Sequence, residues 1–212
     1  MKLHELDISK TASIRSFADF LRRTHPQGID IVINNAGIAM RGFDATVVRE
    51  TLGCNYYGTL EATQQFLPIL KDGGRLVNVA SMSGHLGSRY SDAVKRRFLE
   101  AKSQNEITAI MKDFQTAADQ GEISERGFPS AAYAVSKAGI IGVSGVIAAE
   151  EQRKGSGKLV NSCCPGYVQT DMTRGGGPKT PDQGAQTPVM LALEDLGGRS
   201  GLFWQHEKVI EW

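Results

Sequence analysis

Tyr133 and Lys137 stand four residues apart, with Ser81 upstream at the end of Asn78-Val79-Ala80-Ser81 and Cys164-Pro165-Gly166 downstream. On a helix, positions i and i+4 share a face, with Cβ atoms about 6 Å apart. A phenol with an ordinary pKa of about 10 exchanges protons poorly near neutrality. An ammonium beside it favours the phenolate and is expected to lower that pKa, so the pair could pass a proton to or from a carbonyl or alcohol oxygen. Taken alone, a tyrosine and a lysine at this spacing describe equally well a surface aromatic beside a solvated cation. The elements around them decide.

Residues 3–7 read as the end of a strand stopping at Asp7. Residues 9–23 set Ile14, Phe17, Phe20 and Leu21 at helical spacing, with Ser9 or Thr11 as N-cap. Residues 30–34 form a short apolar, β-branched run entering the Asn34-Asn35-Ala36-Gly37 loop, as a buried strand would. A helix over 46–70, interrupted near Gly53 and Gly58, closes at Lys71-Asp72-Gly73-Gly74. Residues 75–80 and 159–163 read as further buried strands, 130–151 as a helix, and 201–205 as the last strand. The segment 88–127 is polar, charged and helix-prone, and 173–181, rich in Gly, Pro and Lys, reads as a mobile lid. Strands alternating with helices predict an α/β fold: a doubly wound parallel sheet with helices on both faces. Ligands of such sheets lie beyond the carboxyl ends of the strands. Asp7, Asn35, Ser81 and the Pro165-Gly166 loop all fall there.

The 212 residues suit one domain with a sizeable core, 41% of them hydrophobic. A net charge of +1 and the lack of a basic stripe argue against a nucleic-acid binder. No apolar run approaches the ~18 residues needed to cross a bilayer, and the first residues lack a signal-peptide pattern. Three cysteines, two adjacent at Cys163-Cys164, make no disulfide framework, so a reducing, cytoplasmic setting is expected. The four histidines are scattered and no metal-ligand spacing occurs.

Asn34-Asn35-Ala36-Gly37, Asn55 in Cys-Asn-Tyr-Tyr-Gly-Thr, Asn78-Val79-Ala80-Ser81, Tyr133-x-x-x-Lys137 and Cys164-Pro165-Gly166 resemble, in order and spacing, the motif set of short-chain dehydrogenases/reductases. The long stretch between Ser81 and Tyr133, the Leu-Val-Asn-Ser-Cys-Cys-Pro-Gly-Tyr-Val run and the ending Glu211-Trp212 are similar to the monomeric NADPH-dependent carbonyl reductases. The resemblance implies a Rossmann-like fold and NADPH-dependent reduction of aldehydes, ketones or quinones, in a monomer without nucleic-acid or membrane partners. It implies Tyr133 as proton donor, with Lys137 lowering its pKa and holding the nicotinamide ribose. Ser81 would hydrogen-bond the substrate oxygen, and Asn55 would hold a water on a proton path behind Lys137. Asp7 and Ile8 would meet the adenine, the backbone of Asn35 would lie along the cofactor, and Val168, Gln169 and Thr170 would contact the carboxamide. Met82, Ala132 and Tyr167 would wall the substrate pocket, while Met40 and Arg41 would receive a glutathione moiety, free or conjugated. The insertion, at about 88–128, would cover the surface through which tetrameric relatives dimerise.

A dinucleotide fold is expected to begin with a strand, a Gly-rich turn and a helix whose N-terminus holds the pyrophosphate. Here the first residues already match the family's third strand, so the expectation is a single, partial domain lacking two strands and two helices. Its cofactor binding would be weakened. Two alternatives follow: a non-catalytic form, or another member of the superfamily such as a hydroxysteroid dehydrogenase.

Overall fold

Short runs of Val, Ile and Leu, stiff at χ1 and suited to a pleated surface, become the strands. The computed structural model describes residues 2–212. Its one sheet follows chain order: β1 (Ile29–Asn34), β2 (Leu70–Val79), β3 (Leu159–Cys164), β4 (Phe203–Gln205) and β5 (Lys208–Ile210). β1 to β4 are parallel and β5 is antiparallel. The helices are α1 (Thr11–Thr24), α2 (Ala45–Leu52), α3 (Thr59–Phe66), α4 (Asp92–Glu100), α5 (Gln104–Gln120), α6 (Ala132–Lys154) and α7 (Pro181–Leu193). The Rossmann-like α/β reading therefore holds.

On one face α2, α3 and α6 bury Leu52, Leu76, Val135, Ile140 and Val160, with α4 and α5 packed outside them. On the other face α7 brings Leu191 and Ala192 against Val77, Cys163 and Trp204. α1 docks on α3 through Ile14, Ala18, Ala62 and Phe66.

Several boundaries differ from expectation. Residues 3–7 form no strand; Asp7 instead accepts from Ser9 N–H at 2.9 Å and Ser9 Oγ at 2.6 Å. Helix α1 begins after Lys10, without a side-chain cap, so neither Ser9 nor Thr11 serves as one. Lys71 to Gly74 belong to β2, where the pairing register with β1 shifts between Ile29 and Ile31 around left-handed Gly73 (φ 72°). The last strand is half of a hairpin turning at His206 and Glu207, both left-handed (φ 51° and 58°), a turn without the usual Gly or Asn signal. α6 is long and apolar enough to cross a membrane by length and composition, contrary to the sequence reading. Its most apolar window is 83% buried between the sheet, α2 and α5, as befits a core helix.

The helix expected over 46–70 breaks where its glycines suggested, into a π-helical turn, Gly53–Gly58. Such turns insert a residue and often mark functional sites. Gly58 is needed there: a Cβ would lie 2.2 Å from the carbonyl oxygen of Ile8.

Candidate active site

β2 carries its chain out to Ser81, which caps a short 3-10 turn, Met82–Gly84, accepting from Ser83 N–H at 3.1 Å. That turn lies directly on α6. A Cβ on Gly84 would sit 2.6 Å from Ala138 N, so only glycine lets Ser81 come this close to the helix bearing Tyr133 and Lys137. From the far end of the chain, Trp212 Nε1 donates to the Gly84 carbonyl at 2.9 Å and fixes the turn.

Tyr133, Lys137 and Ser81 line one cleft of about 800 Å³ beyond the carboxyl ends of β1, β2 and β3. Burial pushes the Tyr133 phenol above its ordinary value, and the nearby Ser81 hydroxyl pulls the other way. The sequence expectation had the opposite sign. Lys137 Nζ stands 5.6 Å from the ring centroid, and the direction of the shift is set by burial. The phenol therefore holds its proton near neutrality, the form required of a donor.

Lys137 is 5% exposed, and its ammonium donates to the Val79 carbonyl at 2.8 Å. Burial brings its pKa down to about 8, opposed only weakly by the neighbouring thiols Cys54, Cys163 and Cys164. An ammonium has three donors, so two remain for groups entering the cleft.

Asn55, in the π-turn, exchanges a reciprocal amide pair with Ile38: its Oδ1 accepts from Ile38 N at 2.8 Å and its Nδ2 donates to Ile38 O at 2.9 Å. Nδ2 also reaches Ser136 Oγ at 3.1 Å. Its side chain thus pins the Asn35–Ile38 loop beside Lys137. Asn34 points inward, donating to Thr63 Oγ1 at 3.0 Å and to Asn78 Oδ1 at 2.9 Å. Asn78 passes the chain of hydrogen bonds to Ser144 at 2.8 Å. This network ties β1, β2, α3 and α6 together below the site.

Asn35, Arg41, Tyr167, Val168 and Thr170 line the cleft. Other anticipated residues do not. Gln169 turns its amide to Gly177 O at 3.1 Å. Met82 packs half-buried against the main core, Ala132 is buried in the first turn of α6, and Met40 is exposed beside Arg41. Asp7 is occupied by Ser9 and by Lys10, whose ammonium is 3.0 Å away, and its carboxyl is held at about 2 by these partners. Ile8 packs with α1 and α3. The segment 173–181 is no detached lid: Gln169 N donates to Lys179 O at 2.9 Å and Lys179 N to Tyr167 O at 3.3 Å.

A scan against protein families matches residues 1–92 to the short chain dehydrogenase family. Human carbonyl reductase (NADPH) 1 is 38% identical over 221 aligned residues, which span 100% of this chain and 79% of that protein. Rat carbonyl reductase (NADPH) 3 is 39% identical across 91% of this chain and 72% of that protein. Among solved structures, salutaridine reductase from Papaver somniferum superposes with a TM-score of 0.85 at 27% identity, covering 95% of this chain and 81% of that one. The chain belongs to the short-chain dehydrogenase family.

Within this short-chain dehydrogenase the sequence missed Asp171 and Arg174, which also line the cleft. Asp171 and Arg174 directly follow Thr170, so the loop after Pro165-Gly166 could have been followed further as one wall.

Proposed function

We propose that this chain is an NADPH-dependent carbonyl reductase converting aldehydes, ketones or quinones to alcohols. The observation behind this is the convergence of the Ser81 hydroxyl, the Tyr133 phenol and the buried Lys137 ammonium on one cleft. The nicotinamide, when bound, supplies the hydride received by the carbonyl carbon. Tyr133 donates its proton to the carbonyl oxygen, forming the new O–H bond as the C=O double bond becomes single. Ser81 hydrogen-bonds that oxygen, positions it and stabilises its developing charge.

Lys137, with two donors to spare, suits the ribose hydroxyls. Asn35, Val168 and Thr170 would border the nicotinamide. Asn55 would support a water-borne proton path behind Lys137 while holding the loop at Ile38. NADPH as the cofactor is supported by the names of the carbonyl reductase relatives. A cytoplasmic location accords with three unpaired, buried thiols.

Replacing Tyr133 with Phe should lower NADPH-dependent turnover of a quinone or aldehyde by about 100-fold or more. NADPH affinity, read by cofactor fluorescence, should be nearly retained. Turnover equal to the wild type would overturn the donor assignment, and a chain that binds no NADPH would overturn the cofactor.

For substrate, Arg41 and Arg174 favour glutathione or its conjugates. Both border the cleft, and among the described residues neither guanidinium has a side-chain partner there. A guanidinium pairs well with carboxylate. Arg41→Gln should raise KM for a glutathione-conjugated carbonyl by roughly tenfold, the size of one charge-assisted hydrogen bond. The unconjugated parent compound should be unaffected, and equal effects on both would remove the glutathione reading.

A further inference from the structure

We propose that Lys179 is a positioning residue for the cleft wall, clamping the Pro165–Thr170 loop to the C-terminal hairpin. Its ammonium donates to the Pro165 carbonyl at 3.3 Å and lies 3.2 Å from His206 Nδ1. Its methylenes cover Gly166, where a Cβ would meet Lys179 Cδ and Cε at 3.1 Å. Gly166 is left-handed (φ 88°), so the loop turns sharply under this side chain. One ammonium therefore joins three separate pieces of chain: the wall carrying Tyr167, Val168 and Thr170, the strap after Arg174, and the β4–β5 turn.

The strap is fitted to the wall along its length. A Cβ on Gly177 would lie 2.6 Å from Tyr167 O, one on Gly176 2.7 Å from Tyr167 Oη, and one on Gly184 2.6 Å from Val168 Cγ2. The hairpin end is strained, because His206 and Glu207 are both left-handed without being glycine. Such conformations persist where surrounding contacts over-determine them. The contacts here are Lys179 with His206, Thr187 Oγ1 of α7 donating to Glu207 Oε1 at 2.7 Å, and Glu207 N donating to Thr187 Oγ1 at 3.5 Å.

The clamp depends on the imidazole. To accept from an ammonium, Nδ1 must be unprotonated, with the ring proton on Nε2. Protonating it removes the acceptor and sets two cations 3.2 Å apart. The charged neighbours are Lys179 on the strap, Glu207, whose carboxylate is engaged by Thr187, and Lys208 at the start of β5.

The kinetic part of the test rests on the reductase reading; the exchange part does not. Lys179→Met keeps the cover over Gly166 and removes the charge. Amide exchange over 166–170 should then quicken by roughly tenfold while α6 and β2 stay as protected as before. KM for substrate and NADPH should rise by a similar factor with kcat within about twofold, since Tyr133, Lys137 and Ser81 stand on other elements. Lys179→Arg should restore both. His206→Gly, which removes the acceptor and tolerates a left-handed backbone, should quicken the same exchange, and His206→Asn, which keeps an acceptor and tolerates that backbone, should not. Unchanged exchange in Lys179→Met overturns the clamp, as does a loss of protection spread over the whole chain. Unchanged exchange in His206→Gly overturns the role of the imidazole. If the wild type turns over no carbonyl at all, the reductase reading fails, and exchange alone decides the clamp.

Discussion

Lys137 is a charged group held inside the protein by one backbone carbonyl, and its depressed pKa measures what that costs the fold. The shift runs from an ordinary 10.5 to about 8. Below pH 8 the lysine is protonated in both folded and unfolded chains, so the whole penalty of about 3 kcal/mol applies. Between pH 8 and 10.5 the folded state has released a proton that the unfolded state still binds, and the penalty fades. Lys137→Met removes the titration. In urea denaturation, the stability of the wild type relative to this variant should improve by about 2 kcal/mol from pH 7 to pH 10. A difference that stays constant with pH would show that the lysine is not buried as described. The residues themselves were legible from type and spacing: Ser81, Tyr133 and Lys137 do share a cleft. The sign of the tyrosine's shift was not, because burial is set by the segments that line the cleft with it, Val79 to Ser81 and the loop after Pro165, distant in sequence.

At the level of elements, glycines mark where backbones meet. The helix break near Gly53 and Gly58 could be read from sequence, but its π geometry could not. It follows from the approach of Ile8 O, a contact between two segments far apart in the chain. Gly58→Ala must displace a backbone atom, since Cβ would come within 2.2 Å of that oxygen. A loss of about 2 kcal/mol is expected in denaturant unfolding, the usual scale of overpacking. Because Asn55 lies in the same turn, the Ile38 pairing should loosen and turnover fall with it. A variant as stable as the wild type would mean that the π-turn is not constrained from outside. The strap after Arg174 shows the opposite limit of sequence reading. Its Gly, Pro and Lys content suggested mobility, yet Gly176 and Gly177 serve close packing against Tyr167. The β4–β5 hairpin escaped notice for a related reason, its turn resting on tertiary contacts of His206 and Glu207 in place of turn-forming residues.

For the whole molecule, α4 and α5 cover one face of the packed helices. α5 places Ile107, Ile110, Met111 and Phe114 against α2 and α6, all at most 1% exposed. Two glycines of α6 make this fit possible: a Cβ on Gly139 would lie 2.8 Å from Met111 Sδ, and one on Gly142 2.9 Å from Ile107 Cδ1. α4 continues the cover through Phe98, which meets Tyr90 and Trp212 edge-on at 6.2 and 5.6 Å. With this face of α2 and α6 covered from within the same chain, we propose that the protein is a monomer, and it should run as one in light scattering coupled to gel filtration. Gly139→Leu should push α5 away and uncover an apolar face of several side chains. Such faces seek partners, so this variant should self-associate at concentrations where the wild type does not. A wild type that is already tetrameric, or a Gly139→Leu variant that stays monomeric with α5 still protected from exchange, would show that the insertion does not set the assembly state.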